Sequence, residues 1–121
     1  MPIGAHFHVA HGLSNAMLFP AVTEFSVGAA EARYADCARA LGATTAGASD
    51  ATASADLVAA LAELCRDVEV PTPKSYGIDK RTWEERIPIM AEQALASGSP
   101  NNNPRIPTSD EIRELYGRIY C

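Results

Sequence analysis

The chain has 121 residues, 47% hydrophobic and 21% charged, which is enough for one domain with a buried core. Ten basic and fifteen acidic residues give a formal net charge of -5 without a lysine and arginine stripe, which argues against nucleic-acid binding. Only 7% of the residues are aromatic and alanine is abundant, so the composition is typical of a helical protein.

The first predicted helix covers residues 11–26, where the sequence is almost continuously apolar. Its apolar residues at helical spacing include Leu13, Ala16, Met17 and Pro20. We expect Pro20 to kink or divide this helix, because proline lacks a backbone N–H and clashes with the preceding turn.

Two further helices are predicted on either side of a loop of small residues. The first covers 29–41 and stops at Gly42, and the second starts at Asp50 or Ser54 and ends near Val68. Their spacing predicts two buried stripes, Tyr34, Cys37, Ala38 and Leu41 in the first, and Leu57, Leu61, Leu64, Cys65 and Val68 in the second.

Two more helices are predicted in the C-terminal half, after a proline-rich crossover. One ends near Ala96, and Pro88 leaves its start open, with a separate turn around Trp83 as the alternative. The last begins at a capping box formed by Thr108 and Glu111. Their predicted buried faces are Ile87, Met90, Ala91, Ala94 and Leu95, and Ile112, Leu115, Tyr116 and Ile119. The sequence therefore predicts five helical segments, no strand, and a single all-α domain over residues 1–121.

The cysteine pattern and the N-terminal sequence indicate the cellular compartment in which the protein is expected. The chain has an odd number of cysteines, Cys37, Cys65 and Cys121, and they form no CxxC pair. This pattern favours neither a disulfide framework nor a zinc knuckle. The N-terminus lacks the basic and apolar regions of a signal peptide, and no apolar run approaches the length of a membrane span. We therefore expect a cytoplasmic protein without membrane contact.

Three histidines lie close together in the stretch AHFHVAHGLSN, at His6, His8 and His11. An extended segment would place His6 and His8 on one face, and a helix starting at Val9 would do the same for His8 and His11. Either pair fits a divalent cation, and the alternative is that His6 and His8 are exposed residues without a ligand. His11 precedes Gly12 at the start of the apolar helix, where the fold can hold an imidazole that faces a cleft.

Both ends of the chain resemble the C-terminal part of the iron-containing (group III) alcohol dehydrogenases. In PIGAHFHVAHGLSNAMLFPAV the matching residues are Pro2, Gly4, Phe7, His11, Gly12, Asn15, Ala16, Leu18 and Pro20. In NNPRIPTSDEIRELYGRIY they are Asn102, Asn103, Pro104, Arg105, Thr108, Ile112 and Tyr116. Two such segments in the correct order are more specific than either alone, and the resemblance spans essentially the whole chain.

The resemblance implies an all-helical C-terminal domain whose partner domain binds NAD(P), with a divalent iron or zinc ion held between them by an aspartate and three histidines. Only the last of these ligands maps onto this chain, at His11, and the others would lie upstream of Met1. His6 and His8 occupy positions that are not ligands in the family. We therefore expect the isolated chain to bind neither the metal nor NAD(P) tightly.

The resemblance also suggests residues on the substrate side of the cleft, and leaves a second function open. The candidates for contact with an alcohol or aldehyde are Phe7 and Asn103. The alternative role is core packing for Phe7 and turn formation for Asn103. Arg105 is interpreted as a hydrogen-bond donor that stabilises its loop. The second function is a non-catalytic helical module that pairs with a separate cofactor domain or with itself. Because the first helix is apolar on nearly all sides, we expect a homo-oligomer.

Overall fold

The computed structural model of the chain describes residues 2–121, and within them all regular structure is helical. Its α-helices are α1 (Pro2–Phe7), α2 (His11–Ser26), α3 (Glu31–Leu41), α4 (Asp50–Asp67), α5 (Pro73–Tyr76), α6 (Lys80–Ala96) and α7 (Ser109–Arg118). Short 3-10 turns at Val27–Ala29 and Ser99–Asn102 follow α2 and α6. The all-α prediction is confirmed, but the predicted number of five helical segments is wrong, because α1 and α5 were not predicted.

The two additional helices are too short to show a hydrophobic repeat. In α1, Ile3 is fully buried, and the helix ends where His8 adopts a left-handed conformation with φ 56°. In α5, a single turn is held by a capping box between Thr72 and Ser75 and closed by Gly77. Helices of this length are stabilised by packing and caps rather than by intrinsic propensity, so the sequence pattern does not reveal them.

Both internal prolines lie within continuous helices. Pro20 does not divide α2, and Pro88 does not separate Trp83 from the rest of α6. A helical proline leaves the carbonyl four residues earlier without its usual donor. For Pro20 that carbonyl belongs to Ala16, and the Cys65 thiol of α4 donates to it over 3.9 Å. The packing of α4 against α2 thus compensates locally for the missing hydrogen bond.

Two hydrophobic cores lie on either side of α2. The larger consists of Ile3, Val9, Met17, Ile78, Trp83, Met90, Ala91, Ile112, Tyr116 and Tyr120, from α1, α2, α6, α7 and the chain around them. The smaller consists of Ala35, Ala38, Ala53, Leu57 and Leu61, from the α3–α4 hairpin. Since α2 contacts α4 as well as α1 and α7, it joins the two cores.

The buried faces are predicted correctly for α6 and α7 and only in part for α3 and α4. In α3 the buried residues are Ala35 and Ala38, whereas Leu41 is 68% exposed. In α4 the stripe is buried at its start, but Leu64 and Val68 are 55% and 64% exposed. The small alanine side chains let α3 and α4 approach closely, so the contact follows them instead of the larger residues.

The N-terminus of α7 has the predicted capping box. The Glu111 backbone N–H donates to Thr108 Oγ1 over 3.2 Å, and the Thr108 N–H donates to Glu111 Oε1 over 3.0 Å. The hydrogen bond from the Thr108 backbone, together with the Arg105 guanidinium, lowers the pKa of Glu111. The start of α7 is therefore fixed by local hydrogen bonds that the sequence identifies.

Candidate functional site

One face of α2 forms the wall of an open cleft of about 750 Å³. Its lining residues on α2 are His11, Asn15, Leu18, Phe19, Val22 and Phe25. The rest of the lining comes from Pro2, Ala5, Gln93, Ala94, Ser97, Ser99, Pro100, Asn103, Pro107, Ile112, Leu115 and Tyr116. Most of these side chains are apolar, and the volume is in the range of small-molecule sites.

His11 is the first residue of α2 and lies at the N-terminal end of this wall. Its side chain is exposed, and its Nε2 atom lies 3.1 Å from Nδ2 of Asn15, one helical turn later. A neutral imidazole at a cleft has the donor chemistry of a ligand for zinc or iron. Asn15 was not predicted from the sequence as a partner of His11, although the i, i+4 spacing within HGLSN signals it.

The other two histidines do not join His11 in one site. His6 lies within α1 and its Nε2 atom is 2.8 Å from Oε1 of Gln93, and His8 follows α1 in its left-handed conformation. Neither the extended segment nor the helix from Val9 that would align two histidines is present. Within residues 2–121, no three His, Cys, Asp or Glu side chains are grouped closely enough to hold a metal ion.

Asn103 lines the same cleft at the opposite end of α2. Its Nδ2 donates to Ser26 Oγ over 2.8 Å and to the Arg105 carbonyl over 2.6 Å, while the Ser26 hydroxyl lies 2.7 Å from the Val22 carbonyl. Because Ser26 ends α2 and His11 begins it, the helical rise separates Ser26, the partner of Asn103, from His11 by roughly 20 Å. The Asn103 side chain therefore fastens the α6–α7 loop to α2.

Arg105 stabilises the same loop, as the sequence analysis interpreted it. Its guanidinium pairs with the Glu111 carboxylate and lies over the Phe25 ring, with Cζ 4.0 Å from the ring centroid. These contacts connect the end of α2 to the start of α7. Arg105 thus fastens the loop before α7 to the end of α2 that lies far from His11.

Phe7 and Tyr116 differ in their relation to the cleft. Phe7 is half-buried and packs on Trp83, with 5.5 Å between ring centroids, and the structure places it in the core instead of the cleft lining. Tyr116 lines the cleft, and burial raises the pKa of its hydroxyl to about 12. The Tyr116 hydroxyl is therefore neutral near pH 7.

The chain also matches a known protein family over nearly its whole length. A model of the C-terminal part of the Fe-containing alcohol dehydrogenase family matches residues 1–120. The chain belongs to the iron-containing alcohol dehydrogenase family. It corresponds to the C-terminal domain of these enzymes, and the resemblance seen at both ends of the sequence is confirmed.

Several dehydrogenases of this family are similar over nearly the whole chain. Lactaldehyde reductase of Escherichia coli (strain K12) is 35% identical over 95% of this chain, which spans 29% of that protein. The 1-propanol dehydrogenase of Salmonella typhimurium is 35% identical over 97% of this chain and 32% of its own length. NADPH-dependent butanol dehydrogenase of Clostridium saccharobutylicum is 29% identical over 97% of this chain and 30% of its own length.

A solved structure shares the fold of this iron-containing alcohol dehydrogenase domain. The crystal structure of a 1,3-propanediol oxidoreductase superposes with a TM-score of 0.89 and 29% identity, covering 98% of this chain and 30% of that protein. The chain thus spans about 30% of the length of the relatives it matches. In the part of the chain that the structure describes, no helix is both long and apolar enough to cross a membrane.

Proposed function

We propose that this chain forms the metal-facing and substrate-facing helical side of the active site in an NAD(P)-dependent alcohol dehydrogenase. In this proposal His11 supplies one ligand of a divalent iron or zinc site, and further ligands come from outside the chain. The observation that carries the proposal is the position of the exposed His11 imidazole at one end of an apolar cleft of about 750 Å³.

His11 fits one ligand of such a site, and residues 2–121 supply no group of three ligating side chains to complete it. Its imidazole has a nitrogen with a lone pair at the cleft. A divalent ion held there would supply Lewis-acid chemistry at the alcohol oxygen, and NAD(P) would accept the hydride. The part played by this chain is to hold one imidazole and to shape the wall beside it.

The substrate class follows from the same wall. Leu18, Phe19 and Val22 extend from His11 along α2 and offer apolar surface to the carbon chain of a substrate. The relatives are named for butanol, 1-propanol and lactaldehyde, which are short aliphatic alcohols and an aldehyde. We propose the same general class here, small alcohols and the corresponding aldehydes, and a cytoplasmic enzyme.

We expect the isolated chain to show no alcohol oxidation. A single imidazole does not hold iron or zinc with the affinity of a complete ligand set, and catalysis requires the cofactor to be positioned against the substrate. The measurement is nicotinamide absorbance after the chain is mixed with iron(II) or zinc(II), NAD(P) and short alcohols. Turnover above background that disappears in His11→Ala would show that the chain builds a complete site.

The complementary experiment places the chain in a whole enzyme. In a chimera, this chain replaces the matching segment of Escherichia coli lactaldehyde reductase, to which it is 35% identical. His11→Ala should lower metal content and activity by at least about 10–100-fold, the cost of losing even a hydrogen-bond partner of a metal ligand. His8→Asn is the matched control, because asparagine tolerates the positive φ of that position. Equal losses in both variants would contradict a ligand role for His11.

The exposed apolar wall also supports a second candidate function, self-association of the chain as a helical module. Phe19 is 53% exposed within the cleft, and contacts with a second copy would remove it from water. We expect sedimentation at micromolar concentrations to show dimers or larger species, and Phe19→Glu to shift them toward monomer. Leu41→Glu, at a 68% exposed position outside the cleft, should leave association unchanged. A wild-type chain that sediments as a monomer would exclude this candidate.

A further inference from the structure

The half of the cleft that lies away from the start of α2 is a three-sided groove. Val22 and Phe25 of α2 form one side, and Pro107 in the loop before α7 lies on the other. Ile112 and Leu115 of α7 form the floor, since they line the cleft although they are only 6% and 8% exposed. We call this part of the cleft the distal groove.

The loop on one side of the distal groove is fastened to α2 on the other. Asn103 Nδ2 donates to Ser26 Oγ over 2.8 Å at the end of α2. The Arg105 guanidinium pairs with Glu111 and lies over the Phe25 ring. These contacts hold both sides in place without a ligand. A concave site that is already formed is typical of small-molecule binding, because little of the protein has to be ordered when the ligand enters.

The charge around the distal groove indicates an uncharged ligand. Among the described residues that line the cleft, none is an aspartate, glutamate, lysine or arginine. A second pocket of about 290 Å³ shares Phe25 and Leu115 with the cleft, and its other lining residues are all charged: Glu24, Arg105, Glu111, Glu114 and Arg118. A hydrocarbon is stabilised by contact with apolar side chains, whereas it would strip water from ionised ones. The apolar surface therefore ends at Phe25 and Leu115.

The cleft is longer than a short alcohol requires. Between His11 and Phe25, both of which line it, α2 rises by roughly 21 Å. Its volume of about 750 Å³ is in the range of sites that hold drug-sized molecules. A propanol or butanol molecule with its hydroxyl beside His11 would leave the distal groove to water. A longer tail that follows α2 would displace this water from apolar surface.

We propose that the distal groove is a subsite for the unbranched hydrocarbon tail of a medium-chain alcohol or aldehyde. The proposal rests on the proposed function, which places the hydroxyl or carbonyl group of the substrate beside His11. It extends the substrate class from small alcohols to longer ones whose tails lie between α2 and α7. Phe25 and Leu115, where the charged pocket begins, set the greatest length of the tail.

The test is a titration of the chain with 1-butanol, 1-hexanol and 1-octanol, followed by methyl NMR. We expect saturable shifts at the methyl groups of Val22, Ile112 and Leu115. The Kd should fall about fourfold for each CH₂ group added to the alcohol, the gain for burying that group. Equal affinities for the three alcohols would overturn the proposal. So would shifts that are largest at Leu41, an exposed residue outside the cleft.

Variants at Val22 test the position of the tail. Val22→Trp should fill the distal groove and weaken 1-octanol binding by about tenfold or more, since several CH₂ groups lose their contacts. Val68→Trp is the matched control, because Val68 is 64% exposed and lies outside the cleft. Should tryptophan disturb the fold, Val22→Ala keeps the groove open and should weaken binding by about 2–5-fold through two lost methyl groups. Binding of 1-octanol that is unchanged by the Val22 substitutions would contradict the subsite.

Two further measurements separate the subsite from other outcomes. In the chimera with lactaldehyde reductase, kcat/KM for 1-octanol should exceed that for 1-propanol, and Val22→Trp should remove the difference. If the chimera oxidises no alcohol while the chain binds 1-octanol in the groove, the proposed function fails and the subsite stands. If it oxidises 1-propanol while the chain binds all three alcohols equally, the subsite fails and the proposed function stands. A chain that sediments as a dimer and shows no shifts with 1-octanol would place a second copy in the groove and overturn the proposal.

Discussion

Replacement of Trp83 by alanine is expected to destabilise the protein by about 3–5 kcal/mol, a large part of the roughly 5–15 kcal/mol that stabilises a typical domain. Trp83 is 1% exposed, and its ring packs against Phe7, Tyr116 and Tyr120 at centroid distances of 5.5, 5.9 and 6.2 Å. Truncation to alanine removes this packing and leaves a cavity between α1, α6 and α7.

The indole also has a polar partner that alanine cannot replace. Nε1 of Trp83 donates to the Tyr116 carbonyl over 3.0 Å. That carbonyl is one of the last four of α7, which lack donors within the helix. Trp83→Phe keeps an aromatic ring in the cluster but loses this donor and part of the ring contacts, so we expect an intermediate loss of about 1–3 kcal/mol.

Urea unfolding followed by circular dichroism measures these effects. The midpoint for Trp83→Ala should fall by about 2 M, given the usual dependence of stability on urea. Tyr76→Ala is the matched control, because Tyr76 is 42% exposed and its truncation should cost about 1 kcal/mol or less. Similar midpoints for Trp83→Ala and Tyr76→Ala would show that the Trp83 cluster does not hold the larger core together.

Gly4→Ala is expected to destabilise the protein by about 1–3 kcal/mol, although alanine is ordinarily the better residue in a helix. A Cβ atom at Gly4 would lie 2.8 Å from the Val9 carbonyl oxygen, closer than real contacts allow. That oxygen belongs to the backbone of a buried residue, so it cannot move away as a flexible side chain would. The segment that leads into α2 would have to shift, and His11 with it.

Gly117→Ala is the matched control and should have the opposite sign. Gly117 lies within α7, and a Cβ atom there would meet nothing within 4 Å. The substitution should stabilise the protein by about 0.5–1 kcal/mol, because alanine loses less conformational freedom in a helix. We expect the urea midpoint of Gly4→Ala to lie below that of the wild type and the midpoint of Gly117→Ala to lie above it. A stabilised Gly4→Ala protein would show that the close approach of α1 to Val9 does not exist.

The sequence by itself determined the elements whose signals are local. The bounds of α2 and the capping box at Thr108 follow from residues within a few positions of each other. The buried faces of α6 and α7 follow from helical spacing, because a residue on the apolar side of a long helix meets the core wherever that core lies. The family resemblance at both ends also required no structure.

Tertiary contacts decided features that a local pattern does not fix. Of the two outcomes predicted for Pro20, a kink or a division of α2, the division does not occur, and Cys65 of another helix donates to the carbonyl that proline leaves free. In α3, the spacing favoured Leu41, yet the contact with α4 follows Ala35 and Ala38 because small side chains permit close approach. Such choices depend on partners distant in sequence, so a local pattern does not contain them.

At the candidate site, too, the sequence left the arrangement of the histidines open and the fold decided it. Their spacing left three interpretations open: an extended pair, a helical pair, and exposed residues without a ligand. Only the fold shows that α1 carries His6, that His8 ends it, and that His11 begins a new helix beside a cleft. Periodicity identifies which residues lie on a helix, whereas the relative placement of helices determines which side chains can act together.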